Sequence, residues 1–296
     1  MKSKKFFIPF FSVVVIAFIT FFVLQLSLPK AQPKLADTTS VNDDQTKERI
    51  HYTAIGDSLT EGVGDTTQSG GFVPLVADDL QDDYSLSSVE VDNYGVAGER
   101  SDQILQRIQE DDNTQKDIAA SDIITVTVGG NDIMKVIKKN IFGLSVDSFD
   151  KPLQKYQENL SNMMNEIRSL NENASIYVVG VYNPFYVNFP EIEDMQTIIK
   201  NWDKGTKEVV EKDENAYFVP INEVISQGTG DDAALDTNKQ DSSSEEENDL
   251  NTVKNKALYE EDNFHPNTTG YQLITREVMK NIDATKSTWL KEENAS

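Results

Sequence analysis

Two stretches of this chain, near residues 58 and 265, carry side chains that could act together on a substrate. The first reads HYTAIGDSLTEG over residues 51–62. Residues 52–56 are mostly apolar and are followed at once by Asp57-Ser58, which is typical of a buried strand that ends at a tight turn. A serine there lies at the carboxyl edge of a sheet, where open α/β folds bind ligands. Ser58 is therefore a candidate nucleophile; a plain polar turn is the alternative.

A serine hydroxyl needs a base, usually a histidine that a carboxylate orients. The chain has two histidines, and His51 lies seven residues before Ser58. Along an extended strand that separation is about 23 Å, which is too far for proton transfer. His265 remains by elimination, and Asp262, three residues earlier, can reach its Nδ1 atom. The alternative for His265 is a loop histidine at the start of a helix.

Ester chemistry also needs hydrogen-bond donors for the oxyanion that develops on the substrate. Two loops that follow predicted strands contain Gly95, with its unobstructed backbone N–H, and Asn131, with its side-chain amide. Together with the N–H of Ser58 they would form a three-donor oxyanion hole. A glycine required by a turn and an asparagine that caps a helix are the alternatives.

Four blocks taken together resemble the GDSL esterase family, also called SGNH hydrolases. In chain order the blocks are GDSLTEG (56–62), NYGVAGERS (93–101), VGGND (128–132) and DNFHPN (262–267). The resemblance covers about residues 49–285. Asn263 stands where a glycine is common in the family, and asparagine tolerates the same backbone conformations.

The resemblance implies a hydrolase that needs neither a metal nor a cofactor. It implies the following roles: Ser58 as nucleophile, His265 as base, Asp262 as the orienting carboxylate, and Ser58, Gly95 and Asn131 as oxyanion donors. It also implies a three-layer α/β/α fold.

Apolar patterns predict five strands, each followed by a helical segment or a loop. The predicted strands are 52–56, 89–94, 122–128, 175–181 and 216–221. Helices are predicted over 72–80, from 101, and over 150–170, 191–212 and 268–282. Strands and helices that alternate in this way predict a five-stranded parallel sheet, flavodoxin-like, with helices on both faces.

Five apolar or aromatic residues are candidates for a substrate pocket because they follow predicted strands near the candidate nucleophile. The segment just after the predicted strand 175–181 contains Tyr182, Phe185 and Tyr186. Ile133 and Met134 follow Asn131. An ordinary hydrophobic cluster beneath the loop is the alternative.

The N-terminal segment predicts a membrane anchor over residues 1–30. Three lysines precede residues 6–28, which contain no charged residue. As a helix this run is long enough to cross a hydrocarbon core of about 30 Å, and the lysines should stay in the cytoplasm. We expect a single-pass protein of the cell membrane with a flexible linker over 31–48 and the catalytic domain, 49–296, outside. Secretion after signal-peptide cleavage is the alternative, although no good cleavage site is present.

Composition narrows the possible chemistry and partners. The chain has no cysteine, which excludes disulfides, thiolate zinc sites and a cysteine nucleophile. The formal net charge of -23 repels phosphate backbones, so nucleic acid is not an expected partner. Residues 227–256 are polar and acidic and predict a disordered surface insertion; their acids lack the spacing of a calcium loop.

These observations predict an extracytoplasmic, membrane-tethered serine esterase that acts through an acyl-enzyme. The expected substrate is a small-molecule, lipid or acylated-glycan ester, and the leading expectation is lipase-like or lysophospholipase-like activity. An O-acetylesterase or acyltransferase of cell-wall polysaccharide is the alternative. A non-catalytic surface module that binds through its acidic insertion is the competing hypothesis from another class.

Overall fold

A single sheet organises the protein. The computed structural model describes residues 46–139, 145–184, 186, 193–226 and 255–291. The strands are β1 Arg49–Gly56, β2 Ser88–Gly95, β3 Ile123–Thr127, β4 Ser175–Val179 and β5 Ala216–Val219. All neighbours pair in parallel in the order β2-β1-β3-β4-β5. The five-stranded parallel sheet predicted from the sequence is confirmed.

Nine α-helices and two short 3₁₀ helices occur among the described residues. The α-helices are α1 Ser58–Glu61, α2 Phe72–Asp83, α3 Ser101–Glu110, α4 Asp112–Ala120, α5 Gly130–Lys139, α6 Asp150–Leu170, α7 Glu193–Val210, α8 Asn222–Ser226 and α9 Thr268–Ala284. The 3₁₀ helices are Val146–Phe149 and Lys286–Thr288.

Successive side chains of a strand pack on opposite faces of the sheet, and this alternation divides the core into two halves. On β1, Tyr52 and Ala54 pack in the cluster that contains residues of α2 and α9, and Ile55 packs in the cluster that contains residues of α3 and α6. Every residue of β3, the central strand, is buried. A strand covered on both faces reads as a continuous β-branched run, which explains why the sequence marks β3 so clearly. The resulting three-layer α/β/α sandwich agrees with the prediction.

The strand order places three loops side by side. In the sheet register, Gly56 at the end of β1 lies beside Gly95 of β2 and Thr127 of β3. The order in which the chain adds strands reverses between β1 and β3: β2 lies on one side of β1, and β3, β4 and β5 follow on the other. Doubly wound folds form a ligand crevice at such a point. The loops after β1, β2 and β3 therefore begin at one edge of the sheet.

Four α-helices were not predicted: the short α1 and α8, of four and five residues, and the longer α4 and α5. The helix α5 starts directly after the Gly-Gly turn that ends β3, so its first residues read as a loop, and it buries only Ile133 and Val136. The helix α4 is short and buries Thr114 and Ile118 alone. A narrow apolar stripe of this kind gives a weak periodic signal.

Several predictions concern residues outside the described ranges. The membrane anchor 1–30 and the insertion 227–256, apart from its last two residues, lie there. Within the described ranges, no helix is both long and apolar enough to cross a bilayer. The domain contacts begin before the predicted boundary at 49, because the N–H of Lys47 donates to the carbonyl of Leu290 at 2.7 Å. The contacts also resume at Asn255, whose side chain donates to the carbonyl of Ile225 at 2.7 Å.

Candidate active site

Ser58 is the first residue of α1 and lies at the carboxyl end of β1. Asp57 caps this helix: its Oδ1 atom accepts the N–H of Leu59 at 3.1 Å and the hydroxyl of Thr127 at 2.9 Å. The N–H of Asp57 donates in return to the Thr127 hydroxyl oxygen at 3.2 Å. Ser58 is 7 % exposed. The turn is thus tied to the end of β3, which fixes the direction of the serine side chain.

The structure brings His265 and Asp262 to this serine. The Nε2 atom of His265 lies 3.0 Å from Oγ of Ser58, and its Nδ1 atom lies 2.6 Å from Oδ2 of Asp262. Oδ1 of Asp262 also accepts the backbone N–H groups of Phe264 and His265 at 2.9 and 3.0 Å. The three side chains therefore form a continuous hydrogen-bonded series.

The loop that carries the histidine is held by its own backbone and by one tyrosine. The N–H of Tyr259 donates to the carbonyl of His265, and the N–H of Asn263 donates to the carbonyl of Tyr259, both at 2.8 Å. Asn263 adopts φ 51°, the left-handed conformation that asparagine tolerates better than most residues. The hydroxyl of Tyr182 donates to the carbonyl of Phe264 at 2.6 Å. These contacts set the height of the imidazole above Ser58.

Electrostatics keep the orienting carboxylate ionised. Partial burial acts to raise the pKa of Asp262, but the hydrogen bonds from the imidazole and from two backbone N–H groups outweigh it and lower the pKa below its usual range. An ionised Asp262 accepts a proton-bearing Nδ1, which leaves the lone pair of Nε2 directed at Ser58. Behind the serine, burial raises the pKa of Asp57, against the opposing hydrogen bonds from Leu59 and Thr127.

Asn131 and Ser58 both face the cavity above the sheet. The amide nitrogen of Asn131 donates one hydrogen bond to the carbonyl of Glu99 at 2.9 Å. Because an amide nitrogen carries two hydrogens, the second remains available. The backbone N–H of Ser58 has no acceptor within the described residues, as expected for the first turn of a helix.

Gly95, predicted as an oxyanion donor, has a backbone N–H that is already paired. Its backbone N–H donates to Oδ1 of Asn93 at 2.9 Å. A Cβ atom at this position would lie 2.1 Å from the backbone nitrogen of Glu61. Gly95 is therefore required because β2 packs directly against α1, and its N–H is already satisfied.

Gly98, three residues later, has a free donor. Within residues 95–101 of the described structure, its backbone N–H alone has no acceptor. Gly98 adopts φ 84°, and no atom lies within 4 Å of the position that a Cβ would take. The sequence block NYGVAGERS contains two glycines, and residue type alone does not reveal which N–H the turn leaves unpaired.

A cavity of about 40 Å³ adjoins Ser58. Of the five residues predicted to form a substrate pocket, Tyr182 lines it. Ile133 is instead buried in the core, Tyr186 lines a separate groove, and Met134 is absent from the cavity lining. Phe185 lies outside the described residues. The lining residues that were not predicted from the sequence are Asp57, Leu59, Val128, Gly130, Gly180, Val181, Pro184 and Phe264.

One wall of the cavity depends on a partly buried acid of α7. The N–H of Val181 donates to Oδ1 of Asp203 at 2.8 Å. Gly180 makes this approach possible, since a Cβ there would lie 2.8 Å from the same oxygen. Burial raises the pKa of Asp203 from 3.8 to about 7, and the single hydrogen bond from Val181 opposes the shift only in part.

Comparison with known proteins identifies the class. The model of the GDSL-like Lipase/Acylhydrolase family matches residues 54–273. The chain belongs to this family, which confirms the resemblance seen in the four sequence blocks, and it is an ester hydrolase of that family.

Two relatives and one solved structure are similar to this chain. The chain is 35 % identical over 241 residues to the uncharacterized protein YpmR of Bacillus subtilis, covering 81 % of this chain and 84 % of YpmR. It is 29 % identical over 163 residues to the spore germination lipase LipC of Bacillus licheniformis, covering 54 % and 74 %. The lipase Lip_vut3 from a goat rumen metagenome shares the fold with a TM-score of 0.62 at 22 % identity, covering 78 % and 96 %.

The raised pKa of Asp203 predicts a pH-dependent loss of stability. The folded state binds the Asp203 proton more tightly than the unfolded state does. The contribution of protonated Asp203 to the free energy of unfolding is therefore complete below pH about 4 and is lost as the pH rises through about 7. A shift from 3.8 to about 7 corresponds to a loss of roughly 4 kcal/mol. Asp203→Asn keeps the oxygen acceptor and should lack this loss, as measured by urea unfolding at pH 4.5, 6 and 7.5.

Asp194→Asn, an exposed position on the same helix, is the matched control and should follow the wild-type pH profile. Parallel profiles for wild type and Asp203→Asn would show that Asp203 is ionised throughout this range in the folded protein.

Proposed function

We propose that this protein is a serine esterase that works through an acyl-enzyme, with Ser58 as nucleophile, His265 as base and Asp262 as the orienting carboxylate. The observation that supports this proposal is the hydrogen-bonded series from Asp262 through His265 to Ser58, with separations of 2.6 and 3.0 Å. A nucleophile within reach of a base that is itself oriented is the arrangement that activates a serine hydroxyl.

The proposed reaction has two halves. Nε2 of His265 accepts the proton of Ser58 while Oγ attacks the ester carbonyl carbon, and the resulting imidazolium donates that proton to the departing alcohol. A water molecule then attacks the acyl-enzyme, with Nε2 again accepting a proton, and the acid is released as Oγ of Ser58 recovers its hydrogen. Throughout, Asp262 stabilises the positive charge on the imidazole.

Both tetrahedral intermediates carry a negative oxygen that requires donors. We assign this role to the N–H of Ser58, the second amide hydrogen of Asn131 and the N–H of Gly98, which takes the place of Gly95. The bond from Asn131 to the carbonyl of Glu99 links the loop after β3 to the loop that contains Gly98. This link supports fixed positions for two of the three donors, and preorganised donors are effective because they need no reorientation during the reaction.

The size of the cavity favours substrates with a short acyl group. A volume of about 40 Å³ is far below the roughly 300–1,000 Å³ of pockets that enclose drug-sized ligands. We therefore place the O-acetylesterase class, with an acylated glycan as substrate, ahead of the lipase-like class expected from the sequence. Similarity to the lipase LipC is the observation that favours a lipid ester as the second candidate.

We further propose that residues 6–28 anchor the enzyme in the cell membrane with its catalytic domain outside. The support is sequence chemistry: a long uncharged run that follows three lysines. A tether of this kind would hold the active site close to the cell wall and to the lipid surface.

Replacing either member of the nucleophile–base pair should abolish turnover. Ser58→Ala and His265→Ala should each lower the hydrolysis of p-nitrophenyl acetate by roughly 10⁴–10⁶-fold, since the two residues act as a unit. A fluorophosphonate probe should label wild type and fail to label Ser58→Ala. Ser87→Ala, an exposed serine on the same protein, is the control and should react like wild type. Full activity or labelling of Ser58→Ala would refute the mechanism, and a wild type that neither reacts nor labels would favour the non-catalytic module.

An acyl-chain series tests the substrate class. We expect kcat/KM on p-nitrophenyl esters to be highest for two to four carbons and to fall at least about tenfold by eight, because longer chains exceed the cavity; such a loss corresponds to about 1.4 kcal/mol of binding in the transition state. Release of acetate from acetylated glycans should accompany this preference. A maximum at twelve to sixteen carbons would instead support the lipid class.

Fractionation of cells tests the anchor. The full chain should sediment with membranes, keep its N-terminal sequence, and be degraded by protease added to intact protoplasts. A chain that begins at residue 46 should be soluble and equally active on p-nitrophenyl acetate. A shortened product in the medium would show that the segment is a cleaved signal peptide.

A further inference from the structure

The second histidine of the chain lies in a polar cluster remote from Ser58. His51 is the third residue of β1, and five residues separate it from the end of the strand at Gly56, or roughly 17 Å. The hydroxyl of Thr53, two residues along the same face of β1, donates to the carbonyl of Asp117 in α4 at 3.3 Å. The face of β1 that carries His51 therefore lies against α4.

Two aspartates from other elements converge on this histidine. Nε2 of His51 lies 2.6 Å from Oδ2 of Asp92 in β2. His51, Asp92 and Asp117 each contribute one potential ligand atom, and these atoms all lie within 4.8 Å of one another. The side chains are 14 %, 32 % and 15 % exposed, so the cluster is largely shielded yet open to solvent on one side.

Negative charge in the cluster is poorly compensated. The lysine nearest to Asp117 is Lys116, whose Nζ atom is 3.7 Å away and whose side chain is 83 % exposed, so it contributes little. The hydroxyl of Tyr94 donates to Oδ2 of Asp117 at 2.5 Å. These groups mark a local negative potential that a cation would offset.

We propose that His51, Asp92 and Asp117 bind one Zn²⁺ ion. An imidazole with two carboxylates suits zinc, whereas calcium and magnesium prefer all-oxygen sites. Ligand atoms at about 2.0–2.2 Å from a tetrahedral zinc lie roughly 3.4 Å apart. Nε2 of His51 and Oδ2 of Asp92 are now 2.6 Å apart, and all three ligand atoms lie within 4.8 Å of one another, so zinc binding would require the side chains to adjust to that spacing, with water completing the coordination. The hydroxyl of Tyr94 would orient the Asp117 carboxylate as an outer-shell partner.

This site would link three elements that belong to different parts of the chain. The edge strand β2, its neighbour β1 and the short helix α4 would share one ion. Since the chain contains no cysteine, it cannot use disulfides for such a link. The ion would therefore stabilise the folded domain at the end of β1 opposite to Ser58.

Titration of the metal-stripped full chain with Zn²⁺ in a calorimeter tests the site. We expect one ion per chain, binding at least tenfold weaker in His51→Gln and in Asp117→Asn, and a higher melting temperature of wild type in the presence of Zn²⁺. Asp112→Asn removes an exposed charge from the same helix and should bind like wild type. His265→Ala should also bind like wild type, which separates this site from Asp262 and His265.

Equal Zn²⁺ affinity in wild type, His51→Gln and Asp117→Asn would overturn the proposal, because it would show non-specific binding to the acidic surface. Absence of binding to wild type would overturn it as well and would favour a hydrogen bond between His51 and Asp92 without a metal ion. If His51→Gln does not fold, Asp117→Asn alone decides, since its side chain can still accept the hydrogen bond from Tyr94.

Discussion

The hydrogen bond between Nε2 of His265 and Oγ of Ser58 depends on how the rest of the structure positions these two side chains. It joins residues 207 positions apart, so no local propensity can create it. On one side, the strand β1 and its capped turn direct the serine upward from the sheet. On the other, the packing of α9 against α2 and the loop contacts of Tyr259 and Tyr182 hold the imidazole. A displacement of either support by about 1 Å would break the geometry that the proposed proton transfer requires.

Buried and partly buried carboxylates occur at several points around this contact, and their surroundings make each of them different. Asp262 receives three hydrogen bonds and has a lowered pKa. Asp57 is fully enclosed, and burial raises its pKa despite two hydrogen bonds. Asp203 accepts one hydrogen bond, and its pKa rises to about 7. The balance between burial, which raises the pKa, and hydrogen-bond donors, which lower it, therefore accounts for the direction of these three pKa shifts.

The two ends of β1 carry different chemistry. Its carboxyl end leads into the turn of Ser58, at the edge of the sheet where neighbouring loops converge. Its amino-terminal half carries His51 on the face beneath α4, beside Asp92 of the edge strand. Parallel pairing separates the two locations, because it collects the carboxyl ends of all strands on one edge. One strand thus supports both the proposed ester chemistry and the proposed zinc site without contact between them.

Residue patterns alone predicted the parallel sheet and five of the nine described α-helices, because strands and helices alternate along the chain and the central strand reads as a continuous apolar run. The resemblance carried by four short sequence blocks predicted Ser58, His265 and Asp262 as one group, and the structure brings their side chains together. Tertiary structure decided the rest. It showed that Gly95 is required for close packing while the N–H of Gly98 is free, and that Ile133 belongs to the core rather than to the cavity. It also brought together residues 51, 92 and 117. Hydrogen-bond partners and convergence in space depend on contacts between distant segments, which no local pattern encodes.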